Sequence, residues 1–116
     1  MDHYHVWCNL RPGATDVEFA DHVDRYLGHL RQAGHIVGHR MTRRKLGLGP
    51  SQIGEFQIVI DVEDLAQLDA AFREVSTRAG LVEEFHHAVK RVATDLTFAL
   101  YRDFPDPQRE RGGERF

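Results

Sequence analysis

In FQIVIDV, Phe56, Ile58, Ile60 and Val62 take every second position, with Gln57, Val59 and Asp61 between them. A period of two belongs to a strand that turns one side toward a core, and nothing else in the chain restricts its fold as much. Two further stretches carry the same rhythm. In HYHVWCNL, Tyr4, Val6, Cys8 and Leu10 oppose His3, His5, Trp7 and Asn9; in LTFALY, Leu96, Phe98 and Leu100 oppose Thr97, Ala99 and Tyr101.

Between these strands the period lengthens to that of a helix. Phe19, Val23, Tyr26, Leu27 and Leu30 form an amphipathic stripe after a turn at Arg11-Pro12-Gly13, with Thr15 or Asp16 as cap, Glu18 in the first turn and Gly34 as the stop. Asp64 caps a second helix bearing Leu65, Leu68, Phe72 and Val75; Gly80 interrupts it, and a further helical piece carries Val82, Phe85, Val89 and Val92. IVGHRMTRR reads as an extended segment running into LGLGPSQIG, a glycine- and proline-marked loop. The phase of that segment is open: Ile36, Gly38 and Arg40 compete with Val37, His39 and Met41 for the core side, and a bulge at Gly38 accommodates both. Regular structure ends at Pro105-Asp106-Pro107, so we expect one domain over residues 1–105 and a flexible tail over 106–116.

The order strand, helix, strand, strand, helix, strand predicts an α+β, ferredoxin-like βαββαβ fold, a four-stranded antiparallel sheet with the first and third strands central and the helices on one face. At 116 residues the chain buries a single core. If the apolar rows of the three clear strands pack beneath the helices, the opposite face carries His5, Trp7, Asn9, Gln57, Val59, Thr97, Ala99 and Tyr101. An antiparallel sheet tolerates a wet face. A tryptophan and a tyrosine beside Val59 argue instead for a contact or binding surface.

This element order, the length and the row His5, Trp7, Asn9 on a first strand directly after the N-terminus resemble the dimeric α+β barrels. The resemblance spans about residues 3–104. It implies a homodimer in which two sheets pack face to face, with a cleft between the sheet and helices of each subunit. Members include cofactor-independent monooxygenases of the antibiotic-biosynthesis type, haem-degrading relatives, lactone isomerases and small stress-induced proteins, so the fold alone does not select a function. The monooxygenases are similar in using asparagine, tryptophan and a tyrosine or histidine in the cleft, residue types that Asn9, Trp7, Tyr101 and His39 supply here by type and approximate placement. On that reading His39 or His5 is the acid/base group, Asn9 and Tyr101 are polar anchors, and Trp7, Gln57, Val59 and Arg40 contact a small aromatic or hydrophobic metabolite. No cofactor is implied. The competing reading is a non-catalytic ligand-binding or structural dimer, with Trp7 in the interface and Asn9 satisfying a strand-end backbone group.

Other features weigh less. His3 and His5 aim to one side of a strand, and Glu83 or Glu84 with His86 or His87 sits at helical spacing, yet neither pair has the stringency of a metal signature. No metal is expected. The run Arg40, Arg43, Arg44, Lys45 leads into glycines without a phosphate-loop pattern; it reads as a solvated hairpin or as a grip on a ligand carboxylate. A net charge of −3 gives no electrostatic reason for nucleic-acid binding. No segment is apolar for long enough to span a membrane, and MDHYHVWCNL does not read as a signal peptide. With Cys8 as the sole cysteine, a core residue rather than a nucleophile, a cytoplasmic location is expected.

Overall fold

The protein is described here from a computed structural model, which covers residues 1–76 and 80–105; the expected tail at 106–116 lies outside the described residues. Strand β1 (Asp2–Leu10) leads into helix α1 (Asp16–Gln32), then β2 (Gly38–Arg43), β3 (Phe56–Val62), α2 (Leu65–Ser76), α3 (Gly80–Val92) and β4 (Ala93–Arg102). The four strands form one antiparallel sheet in the order β2-β3-β1-β4, with β1 and β3 central as the element order predicts. The second crossover is two helices, and Gly80 opens the second of them.

Local chemistry explains the boundaries of α1. The Thr15 hydroxyl accepts from the Glu18 amide, Asp16 and Glu18 place negative charge at the positive end of the helix, and Gly34 leaves the helix at φ +81°. One side of α1 is then committed to the core. Phe19, Val23, Leu27 and Leu30 are buried against Cys8, Phe56, Ile58 and Val62 of the sheet and Leu68 and Ala71 of α2. The rings of Phe19 and Phe56 meet edge to face, with centroids 5.3 Å apart. Burial in this core pushes the Cys8 thiol up to about 11, which keeps it protonated and unreactive.

Strand β2 resolves the phase. His39, Met41 and Arg43 pair with Ile60, Ile58 and Phe56 and face the helices, whereas Gly38, Arg40 and Thr42 face the other way. Ile36 is buried as well, because it precedes the ladder: the chain joins β3 only at Val37, whose amide donates to Asp61. The basic run is structural in part. Arg44 Nη2 donates to the carbonyls of Pro50 and Ile53, so the 45–54 loop folds around its guanidinium, while Arg43 pairs with Asp16 and Glu55 over the Phe56 ring.

Strand β4 differs from expectation in one respect. Leu96, Phe98 and Leu100 lie on the helix side but remain 45%, 54% and 50% exposed. Alternation specifies the side a residue faces and not its cover; β4 is an edge strand, and the helices shelter the two central strands. A bulge interrupts the β1–β4 ladder between Trp7 and Asn9, with Asp95 at φ 55° taking up the extra residue.

Candidate functional site

A cavity of about 400 Å³ opens between the sheet and the helices. Its buried floor is Val23, Leu27 and Leu30 of α1, Ile58 of β3 and Leu68 and Ala71 of α2; its exposed rim is Phe72, Leu96, Phe98 and Lys90. Polar groups on this wall are few: the side chains of Tyr4, Tyr26, His86 and Lys90. Packing of α1 on α3 brings the Tyr26 and His86 rings together, with centroids 5.6 Å apart. On the sheet side, Tyr4 stacks on Phe98 at 5.9 Å and meets the edge of Phe72 at 5.4 Å, and burial raises the pKa of its phenol. A concave, mostly apolar space of this size with a few convergent polar groups suits a small organic ligand.

The residues singled out from the sequence occupy another surface. His5, Trp7, Gln57, Val59, Arg40 and Tyr101 do come together, but on the open face of the sheet. His5 stacks on Trp7 at 5.5 Å, meets Tyr101 edge to face at 5.1 Å, and accepts at Nδ1 from the Gln57 amide at 3.0 Å. Partial burial, with the nearby charges of His3 and Arg40, lowers the His5 pKa. Val59 is already 7% exposed in the single chain, beside Arg40 on β2 and His5 on β1.

His39 is on the opposite side, where its Nε2 donates to Asp24 of α1 at 2.9 Å, and it does not line the cavity. Asn9 has work within the fold: its Oδ1 accepts from the Glu55 amide at 2.9 Å and its Nδ2 donates to Asp95 at 3.2 Å, tying the start of β3 and the bulge of β4 to the end of β1. By sequence alone Tyr26 belongs to a core stripe and His86 to a solvated pair; only the α1–α3 contact marks them as neighbours. His3 and His5 share the open face without sharing a partner, the side chains of Glu83 and Glu84 lie outside the described residues, and among the described residues no group of three or more histidine, cysteine, aspartate or glutamate side chains is arranged to hold a metal ion.

His3 instead bridges two carboxylates. Its Nδ1 donates to Asp61 and its Nε2 to Asp103, both at 2.6 Å, an arrangement that requires the imidazolium and raises the His3 pKa, Asp103 contributing most. A raised folded-state pKa stabilises fully below the ordinary 6.5 and ceases to do so as pH climbs through the raised value. The stability difference between the parent and His3→Gln is therefore expected to shrink from pH 5.5 to pH 9, as read by urea midpoints; a constant difference would contradict the bridge. Asp2, buried and held bidentately by Arg102, has the opposite sign, since its lowered pKa withdraws stability only as pH falls through the acid range.

The fold recurs in solved structures of low sequence identity. The At3g17210 protein of Arabidopsis thaliana superposes with a TM-score of 0.72 at 6% identity, covering 91% of this chain and 98% of that one. SnoaB of Streptomyces nogalater, a cofactor-independent oxygenase studied as a mutant, gives 0.68 at 10% identity over 93% and 97% of the two chains. A dimeric ferredoxin-like protein of unknown function from Thermobifida fusca gives 0.54 at 12% identity over 86% and 88%. These likenesses show the fold alone, an α+β, ferredoxin-like architecture. No curated protein matches the sequence. Among the described residues no helix is long and apolar enough to cross a membrane. A family profile matches residues 1–116 from end to end, and the chain belongs to that family, DUF6614, a family of unknown function.

Proposed function

We propose that the chain works as a homodimeric α+β barrel that takes a small aromatic metabolite into the cleft between its sheet and helices, and that it acts on it as a monooxygenase of the cofactor-independent kind. The observation that carries this reading is the cleft itself: about 400 Å³ of mostly apolar space, with the Tyr26 and His86 rings side by side on its wall. The likeness to a cofactor-independent oxygenase and to dimeric ferredoxin-like proteins supports it at the level of fold. Imidazole titrates near neutrality and suits the removal of a phenolic proton. In this reading His86 accepts that proton, Tyr26 orients the hydroxyl, and the apolar walls keep the resulting electron-rich ring out of water, where dioxygen is its remaining partner. His5, Trp7, Gln57, Val59, Arg40 and Tyr101 then belong to the interface between subunits.

Oxygen-electrode measurements with electron-rich hydroxynaphthalenes test the chemistry. Dioxygen uptake above the buffer rate is expected from the parent, with His86→Ala slower by about a hundredfold, the usual contribution of a positioned base. Ligand affinity in that variant should change by less than the rate does. Binding without uptake would replace the enzyme reading by that of a non-catalytic ligand carrier.

A further inference from the structure

The cleft is not electrically neutral at its mouth. Of the described lining residues, those whose side chains can carry a positive charge are His86 and Lys90, and none is an aspartate or a glutamate. They stand four residues apart on α3, one turn of helix, and so on the same side of it. Lys90 is exposed at the rim and has no carboxylate partner among the described residues, although ion pairs are common elsewhere on this surface. The same rim carries Phe72 and Phe98, packed on the two sides of Tyr4. A flat apolar body fits the floor, and a negative group at the mouth fits the cation.

We infer that the ligand is an anion: a fused-ring aromatic acid whose ring system lies against Tyr4, Phe72 and Phe98 and whose carboxylate emerges beside Lys90. This rests on the reading of the cleft as a small-molecule site and goes beyond it in naming the charge. A neutral arene would use the floor but leave the ammonium with water alone, whereas a carboxylate gains a charge-assisted contact there. A hydroxyl on the ring near His86 would be compatible with the same pose, the carboxylate facing the next turn of the helix.

The test compares 2-naphthoate with methyl 2-naphthoate, the same ring without the charge, by calorimetry against the parent chain and Lys90→Met. Methionine keeps the apolar stem and removes the ammonium, and retained binding of the ester by the variant reports that its cleft is intact. The parent is expected to bind the acid at least about fivefold more tightly than the ester, a preference weakened by added salt and absent from Lys90→Met. Equal binding of acid and ester by the parent, or a preference that survives in Lys90→Met, overturns the assignment of charge and leaves the cleft as a site for neutral arenes. Binding of neither compound overturns the cleft reading as well.

Discussion

Alanine at position 54 is expected to cost about 3 kcal/mol of folding stability, the upper part of the range for forcing a methyl group into close packing. A Cβ built on Gly54 falls 2.3 Å from both the carbonyl carbon and oxygen of Cys8. The obstacle is backbone, so no rotamer change relieves it. Nor can β1 move aside, because it is a central strand with β3 on one flank and β4 on the other. Retreat of residue 54 instead would pull away the Glu55 amide that donates to Asn9 and the carbonyl bonds that fold the loop around Arg44. Gly28→Ala supplies a control of opposite sign: it lies within α1 with open space around its would-be Cβ, so it should gain about 1 kcal/mol from helix propensity. Urea unfolding followed by circular dichroism reads both. An unchanged midpoint for Gly54→Ala would mean that the junction of β1 and β3 is looser than the geometry shows.

That junction also illustrates what a sequence discloses and what it withholds. The alternation in β1, β3 and β4 assigns sides correctly: Cys8, Phe56 and Ile58 lie beneath the helices, while His5, Trp7, Gln57 and Tyr101 face away. Period two is a local property, legible without knowing any partner. Asn9 is a different case. Its two hydrogen bonds depend on a bulge formed by Asp95 at positive φ, a conformation that a non-glycine residue does not advertise. The sequence leaves the side taken by His39 open because Ile36 and Met41 compete at odd spacing, and only the point where the chain joins β3 decides between them. The cleft was the least legible feature. Tyr26 belongs to one helical stripe and His86 to another, each unremarkable alone, and the pair exists only because α1 packs against α3.

Trp7→Glu is expected to weaken the proposed dimer by about a hundredfold or more, converting it to monomer at micromolar concentration. Trp7 sits in the middle strands of an open face that holds an aromatic cluster, His5 between Trp7 and Tyr101, next to the well-buried side chain of Val59. Ionic groups lie around it: the His3 bridge to Asp61 and Asp103 toward one end, Arg40 toward the outer strand. An apolar centre within a polar rim is the arrangement of an interface whose energy is concentrated in a few large side chains. A glutamate there removes the indole and, if the second sheet covers it, strands a carboxylate away from water at a cost of several kcal/mol unless it finds a partner. Leu48→Glu, at an exposed position of the 45–54 loop, provides the comparison, adding the same charge where no subunit contact is proposed. Sedimentation velocity distinguishes the outcomes: Leu48→Glu keeps the parent mass, Trp7→Glu halves it, and 2-naphthoate still binds the monomer because the cleft opens on the other side of the sheet. Were the parent itself to sediment as a single chain of 13.3 kDa, the open face would be simply solvated.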